Sequence, residues 1–526
     1  MDRAGSASRE MLFPLISYLM RCPRARRSAL LTLRGSMIPV VFAVLCTGCT
    51  GWHEYVCNGF KVGPNYGRPP APVAEHWIDE ADVRVREESQ VPGLWWTVFN
   101  DPVLSDLVTQ ASTQNLSLRQ AGFRILQARA QVGIARGTIL PQQQDVSGSY
   151  RRVGAAGEFF DQWDWGFSLA WELDFWGRFR RAVQAADAQL DASVENYDDV
   201  MVTLLGDVAN SYVVIRTDQE RIRLLQENIA IQEAILTVGE ERLRAGRQTS
   251  VDVEQVRSNL LQNQAQVEQL HVDLRQTTNR LCILLGAPPQ NMEEQLGTGP
   301  IPVAPAEVAV GIPADLLRRR PDVRRAERLV AAQAELIGIA EAELYPSITI
   351  NGTLGYQARE FSDLFSSQAF AGSVGPSFRW NILNYGRLVN NVRLEDARLQ
   401  EAIAGYQDLV LSAGAEVEDG LVSFLRAQRR EKLLDGSATA ARTAVLAIRE
   451  QLRVGVVDFN QYAVIQQSLI QQQDLWAQAR GDIARGLIQV YRALGGGWEI
   501  RLPEAAAPPP EPELPEDISP PPVELR

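Results

Sequence analysis

The stretch that decides the fold of this chain is WDWGFSLAWELD, at Trp163–Asp174. Its large apolar side chains all share one parity: Trp163, Trp165, Phe167, Leu169, Trp171 and Leu173. Strict alternation over this length predicts a β-strand with one apolar face. Three tryptophans on that face are typical of a surface that meets a membrane interface. The sequence therefore predicts a membrane-facing strand, and its neighbours decide how the strand is used.

Helical patterns flank the strand on both sides. Before it, a helix is predicted over residues 101–139, followed by a strand at 143–152 that forms a hairpin with residues 163–173. After it, apolar residues at near-heptad spacing predict one helix over Arg178–Ala245, about 100 Å long. Gly246 is the expected residue just beyond its end, and a return helix is predicted to finish at Leu285.

The whole pattern then occurs a second time. An offset of 205 residues matches Gly133 to Gly338 and Pro141 to Pro346. After the second hairpin an offset of 209 holds over about 120 residues without a gap, and it matches Trp171 to Trp380 and Gly246 to Gly455. The second pair of strands is predicted at residues 347–357 and 372–382. The chain is therefore predicted to be a tandem duplication of helix, hairpin, long helix and return helix.

The N-terminal segment has the features of an export signal. A basic region precedes the apolar run Met37–Cys46, and Thr47-Gly48-Cys49 resembles a lipobox, in which Cys49 is lipidated. The alternative is an ordinary signal peptide with a chance cysteine. Cys57 fits a lipobox poorly, because Tyr55 and Val56 precede it. We expect residues 1–48 to be removed and Cys49 to carry the lipid.

These patterns divide the chain into consecutive segments. They are a signal peptide at 1–48, a lipid-anchored extended segment at 49–100, repeat 1 at 101–296, a proline-rich connector at 297–313, repeat 2 at 314–498 and a disordered Pro/Glu-rich tail at 499–526.

Composition argues against chemistry and against nucleic acid. The net charge is −12, which is unfavourable for a nucleic-acid partner. The five cysteines and the three histidines (His53, His76 and His271) have no metal-ligand spacing, and no nucleophile or phosphate-binding motif is present. We therefore expect no enzyme activity, no cofactor and no metal. Cys282, on an apolar helix face, is expected to be a buried small hydrophobe.

Several motifs resemble those of a known family. They are KVGPNYGRPPAPV at Lys61–Val73, LWWTVFNDPVLSDLV at Leu94–Val108, WELDFWGR at Trp171–Arg178, LLRRRPDVRRAE at Leu316–Glu327 and LYPSITI at Leu344–Ile350. They resemble the TolC-like outer-membrane efflux factors, specifically the lipoprotein branch of the OprM and NodT type. The resemblance covers about residues 60–498.

The strand count and the resemblance together give an architecture. Four strands per chain cannot close a wide barrel, so several chains must pool their strands. The pattern allows several copy numbers, and the resemblance implies a homotrimer with a shared 12-stranded transmembrane β-barrel above a long helical tunnel. Trp163, Trp165, Trp171 and Trp380 are expected at the membrane interface. The fold class is therefore mainly α with a pair of β-hairpins.

The resemblance also places functional residues at the two helix turns, far from the strands. Asp458, Asp252 and Gln461 are candidates for lining a periplasmic aperture, with helix capping as the alternative for Asp458. Candidates for docking a periplasmic adaptor are Arg244, Gly246, Arg453 and Gly455. The alternative for the two glycines is that they only supply left-handed geometry.

The resulting functional hypothesis is an outer-membrane exit duct of a tripartite efflux system. Its partners would be a periplasmic adaptor (membrane fusion) protein, an inner-membrane pump of the resistance-nodulation-division type and outer-membrane lipid. One alternative is the duct of a type I protein or peptide secretion system. Another, of a different class, is a periplasmic coiled-coil scaffold lipoprotein. A tryptophan face that occurs in both repeats favours the duct, because a scaffold has no use for it.

Overall fold

The computed structural model describes residues 52–87, 93–155, 157–454 and 457–501. By its internal contacts the chain divides into residues 1–52 and His53–Arg526, and the second unit is described below. Three sequence predictions lie outside the described residues: the signal peptide with Cys49, the turn glycine Gly455, and most of the C-terminal tail.

The second unit is built mainly from helices. In chain order its elements are α1 (Trp52–Cys57), β1 (Val85–Glu87), α2 (Pro102–Gln114), α3 (Leu116–Gly137), β2 (Gln143–Ala155), β3 (Glu158–Leu173), α4 (Arg178–Arg244), α5 (Ser250–Leu284), α6 (Glu293–Leu296), β4 (Val308–Val310), α7 (Leu316–Arg319), α8 (Pro321–Ala342), β5 (Ser347–Ala358), β6 (Phe370–Arg379), α9 (Arg387–Arg453) and α10 (Phe459–Ala493). Short 3₁₀ turns lie between some of them, among them Trp95–Phe99.

The predicted duplication is confirmed, since the six longest helices form three pairs of equal length. Helices α4 and α9 have 67 residues each, α5 and α10 have 35 each, and α3 and α8 have 22 each. Side-chain contacts repeat with the same offsets. The indole of Trp171 donates to the Ile139 carbonyl at 3.1 Å, and that of Trp380 donates to the Leu344 carbonyl at 2.9 Å. Each tryptophan thus joins the end of a strand to the turn before its hairpin.

The four long strands form one antiparallel sheet in the order β2-β3-β5-β6. In its register, Trp163 faces Tyr150, Trp165 faces Tyr356, and Phe167 faces Leu354. All of these side chains lie on one face, as the alternation in β3 predicts. On the other face, the Thr353 and Ser373 hydroxyls are hydrogen-bonded at 2.8 Å. The sheet therefore has one apolar face and one polar face.

Below the sheet the helices lie side by side as a wall. Helix α4 contacts α3 and α5 on one side and α8 and α10 on the other, and α9 packs beyond α8 and α10. The shorter helices meet end to end. The Asn115 amide donates to the Leu284 carbonyl at 2.8 Å, and the Arg320 guanidinium donates to the Ala493 carbonyl at 2.8 Å. These two junctions occupy equivalent positions in the two repeats.

One face of the wall is covered by an outer layer, which we define as residues 58–87, 93–101 and 287–315. Within it β1 pairs with β4 in parallel, a pairing that the sequence did not predict. The Trp95 ring stacks on Tyr491 with centroids 5.9 Å apart, and the Trp77 indole donates to the Gly311 carbonyl at 2.6 Å. The main apolar core lies between this layer and the wall.

Arg181 fixes the N-terminal segment to the wall. Its side chain is fully buried and donates to the carbonyls of Val62 and Gly63, both at 2.6 Å. It also forms an ion pair with Glu335 on α8 at 2.7 Å. The guanidinium has room there because position 338 is glycine. A β-carbon at this position would collide with the Arg181 side chain.

The bounds of several predicted elements need correction. The single helix predicted over 101–139 is two helices, because Asn115 adopts extended geometry and its side chain caps α3 at Leu118 N–H. The fourth strand was predicted to reach residue 382 but ends at Arg379, and β2 and β3 are both longer than predicted.

Cys282 is fully buried, as predicted. Among the described residues, no helix has the length and apolar character needed to cross a membrane.

Candidate functional site

The first helix turn, between α4 and α5, ends the long helix with a left-handed glycine. Gly246 has φ +67°, and the Arg247 N–H donates to the Arg242 carbonyl at 2.9 Å. This is the hydrogen bond of a Schellman motif, so the glycine performs the structural role considered for it. Arg244, in the last turn of α4, is exposed and lies 3.9 Å from Glu240.

The same turn fixes Asp252 at the start of α5. Thr249 caps this helix by accepting a hydrogen bond from the Asp252 N–H at 3.2 Å. The Asp252 carboxylate in turn accepts from the Thr249 hydroxyl at 2.5 Å and from the Gln248 amide at 2.7 Å. The Thr249 hydrogen bond, more than any other interaction, lowers the pKa of Asp252. Asp252 is therefore negatively charged at neutral pH.

The second turn, between α9 and α10, has a different cap. Asp458 is exposed, and its carboxylate accepts a hydrogen bond from the Gln461 N–H at 2.7 Å. Arg453 is exposed and pairs with Glu450 at 3.1 Å. Asp458 is thus a helix cap, which was the alternative reading of this residue. Among the described residues, no hydrogen bond or ion pair joins Asp458 or Gln461 to Asp252.

Between the two turns lies an apolar cluster that the sequence analysis did not find. Phe459, the first residue of α10, is fully buried beside Gly239 of α4. A β-carbon added to Gly239 would lie 2.8 Å from the Phe459 ring. Tyr462 and Leu452 belong to the same cluster. It packs the second helical hairpin (α9 and α10) against the first (α4 and α5). A glycine inside the last two turns of α4, at position 239, is the signal that could have indicated this close approach.

Further from the turns, buried polar groups connect the two hairpins. The Asn228 amide donates to Gln473 of α10 at 2.8 Å, and the Asn263 amide donates to Gln467 of α10 at 3.2 Å. Buried polar pairs of this kind fix the register of packed helices. These pairs could not be predicted from the sequence, because asparagine and glutamine are also common on the exposed faces of helices.

The four tryptophans predicted at the membrane interface lie in two places. Trp163 and Trp165 are in the middle of β3, in contact with the rings of Tyr150 and Tyr356 respectively. Trp171 and Trp380 are at the junction between the sheet and the helices. The 67-residue helices α4 and α9 lie between the sheet and the two helix turns, so the structure separates the tryptophans from the turn residues.

Comparison with known proteins identifies this architecture. A profile described as outer membrane efflux protein matches residues 107–287 and 312–496, which are the two repeats. The chain belongs to this family. Nodulation protein T of Rhizobium leguminosarum bv. trifolii is 31% identical over 456 residues, which are 85% of this chain and 97% of that protein. Outer membrane protein OprJ of Pseudomonas aeruginosa is 29% identical and covers 84% of this chain and 93% of its own length.

Solved structures agree with this assignment. The outer-membrane channel OprN superposes with a TM-score of 0.78 at 31% identity, covering 83% of this chain and 99% of its own. The CmeC outer membrane channel of Campylobacter jejuni, at 21% identity, has a TM-score of 0.76 and shares the fold. Membership of the family places the protein in the outer membrane and gives it the function of an efflux channel. The family is one of transport ducts.

Proposed function

We propose that three copies of this chain assemble into one exit duct of a tripartite efflux system. Their sheets would join into a 12-stranded barrel in the outer membrane, and their helical walls would form the tunnel below it. The observation that carries this proposal is the open sheet. Its two edge strands, β2 and β6, have 13 and 10 residues, and each is paired on one side only within the described chain. Such edges are normally paired or covered.

The helical wall has two matching free sides. On α5, exposed apolar residues recur every 11 residues: Leu261, Val272 and Ile283. On α9, at the opposite side of the wall, the same spacing gives Leu411, Val422 and Leu433. Eleven residues are close to three helical turns, so each set forms a straight stripe. Stripes of equal period on opposite sides support packing of one copy against the next in a ring.

This assembly is tested by placing charge on one stripe. The double variant Leu411→Glu with Leu433→Glu is expected to be monomeric, because it puts two carboxylates into each apolar contact between copies. Native mass spectrometry of the detergent-purified chain measures the copy number. The control is Ile78→Glu, which adds a carboxylate at an 83% exposed position of the outer layer. Trimers of the double variant, or a wild-type protein that is monomeric, would reject the proposed ring.

The remaining partners follow from the ends of the duct. We expect Cys49 to anchor the chain in outer-membrane lipid; SilC of Salmonella typhimurium, a relative, is named a probable outer membrane lipoprotein. The opposite end would dock a periplasmic adaptor through Arg244, Gly246, Arg453 and Gly455, and the adaptor would connect to an inner-membrane pump of the resistance-nodulation-division type. The exposed side chains of Arg244 and Arg453 leave both available for such a contact.

Asp458 remains our candidate for the aperture, and its charge and its cap can be separated. Asp458→Asn preserves the helix cap, since asparagine caps as well as aspartate, but it removes the charge. If the charge lines the aperture, both Asp458→Asn and Asp458→Ala should change single-channel conductance in planar bilayers, with a rise expected for Asp458→Ala. If capping is its only role, Asp458→Asn should conduct like the wild type. Asp252→Asn and Gln461→Ala serve as comparisons at the neighbouring positions.

A further inference from the structure

A cavity of about 940 Å³ lies on the wall where α10 ends and α8 begins. Three helices line most of it: α4, α9 and α10. It opens on the face of the wall away from the outer layer. On α4, Tyr212 and Arg216 contact the outer layer at Asp101 and Leu296, whereas Asn210 and Gly206 line the cavity. At 100° per residue, Asn210 and Gly206 lie about 160° and 120° away from Tyr212 around the helix axis, so the cavity is on the side of α4 away from the outer layer.

Arginines dominate the exposed charge in the part of this cavity nearest the hairpins. Arg430 and Arg485 flank the single carboxylate of Asp482, at 3.2 and 3.6 Å. The side chains of the two arginines are 51% and 50% exposed, whereas that of the aspartate is 37% exposed. This cluster therefore has two positive charges for one negative charge, and the positive side chains are the more exposed.

The same arrangement occurs again along the wall. Arg492 of α10 and Arg280 of α5 both approach Asp207, at 3.2 and 3.9 Å. Here the arginine side chains are 45% and 64% exposed, and the aspartate side chain is 26% exposed. At the other end of the cavity the balance is reversed, because Arg320 is paired with two carboxylates, Asp322 and Glu416. Asp199 also lines the cavity and interacts electrostatically with Arg492, but it is paired with Arg325 at 3.2 Å. The positive surplus therefore lies in the region around Arg485 and Arg492.

Helix packing does not require arginine at these positions. With the offset of 209, Arg485 corresponds to Gln276 and Arg492 to Ile283, in a helix of equal length and the same fold. The chain as a whole carries a net charge of −12, so a local positive surface is contrary to its average. Arginine presents several N–H donors in a planar fork that fits carboxylate and phosphate groups.

We infer that this region, which we name the arginine belt (Arg280, Arg430, Arg485 and Arg492), binds multivalent anions that carry carboxylate or phosphate groups. The location of the belt inside the duct rests on the proposed function, since the face away from the outer layer would be the lumen of the ring. Anionic cargo would then meet three copies of the belt on its way through the channel. The binding groups themselves belong to one chain.

Binding is tested directly with inorganic pyrophosphate as the probe. The full chain, purified in detergent, is titrated by calorimetry at low ionic strength, where charge interactions are least screened. The double variant Arg485→Gln with Arg492→Gln is expected to bind pyrophosphate at least about tenfold more weakly, because two charge-assisted hydrogen-bonding groups are lost. The corresponding double lysine variant, which retains both charges, should lose less affinity than the glutamine variant.

The matched control is Arg223→Gln. Arg223 is a half-exposed arginine of α4 that pairs with Glu220 and Glu227, and it follows Gln219, which contacts Gly297 in the outer layer, by one helical turn. It therefore lies on the opposite face, and its replacement should leave pyrophosphate binding unchanged. A wild-type protein without saturable binding, or a glutamine double variant that binds as tightly as wild type, would overturn the belt.

The copy number and the bilayer conductance of the same preparations keep the two proposals distinguishable. Weaker binding by the glutamine variant in a protein that is monomeric and does not conduct would support the belt and reject the duct. Conducting trimers whose pyrophosphate affinity is independent of Arg485 and Arg492 would support the duct and reject the belt.

Discussion

Gly338→Ala is expected to lower the free energy of unfolding by about 3–5 kcal/mol, the cost of breaking a buried ion pair. The new β-carbon would collide with Cδ and Nε of Arg181. That side chain has no free space, because it is fully buried and held by two carbonyls and Glu335. Moving it would leave Glu335 without its ion-pair partner and release the N-terminal segment at Val62 and Gly63.

The duplication supplies a control for this variant. Gly133 is the equivalent helical glycine in the first repeat, and a β-carbon there has nothing within 4 Å in this chain. Gly133→Ala should therefore be neutral or stabilising by up to about 1 kcal/mol, because alanine favours the helix. Denaturant unfolding followed by tryptophan fluorescence compares the two variants. Equal stabilities would mean that the Arg181 contacts do not hold the segment.

Phe459→Ala is expected to destabilise the packing of helices α9 and α10 against α4 by about 3–5 kcal/mol. It removes a fully buried aromatic ring from the apolar cluster between these helices. The loss should be local, since this cluster lies at one end of the wall and is separate from the main core. We therefore expect hydrogen exchange in residues 445–465 to become at least about a hundredfold faster. The sheet and the outer layer should keep their protection.

Two further variants separate this contact from a general loss of apolar surface. Gly239→Ala places a β-carbon 2.8 Å from the Phe459 ring and should also speed exchange, although alanine favours the helix. Val464→Ala removes apolar atoms from a residue that is 61% exposed in this chain and should change exchange little. Slower exchange in Gly239→Ala would show that the hairpins are not held together by Phe459.

Most of the fold could be predicted from the sequence because the chain contains its pattern twice. The 209-residue offset predicts that α4 and α9 have the same length, and each has 67 residues. Alternation in Trp163–Leu173 predicts the apolar face of the sheet, because side chains in a strand point to alternate sides. The break at Asn115 was missed, because the apolar spacing continues through it and the contact of its amide with Leu284 is not local.

The sites were harder to predict, because they depend on contacts that the two repeats do not share. Gly133 and Gly338 are equivalent in sequence, yet only Gly338 accommodates an arginine, since position 181 is arginine and its counterpart is Asn390. Asp458 could be assigned as a cap or as an aperture residue from sequence alone, and the structure shows the cap. The spacing of residues in the sequence also does not show whether an arginine has a carboxylate to itself or shares it with a second arginine.

The equal lengths of the paired helices also limit how this chain can change during evolution. Residues inserted into α4 alone would move the first turn away from the second by 1.5 Å each and would break the contact between Gly239 and Phe459. A viable change in length must therefore occur in all four helices, α4, α5, α9 and α10, and in steps of 11 residues if the apolar stripes on α5 and α9 are to keep their period. The duct can be lengthened or shortened only in such coordinated steps, so its length is expected to vary far less among descendants of this gene than the loops do.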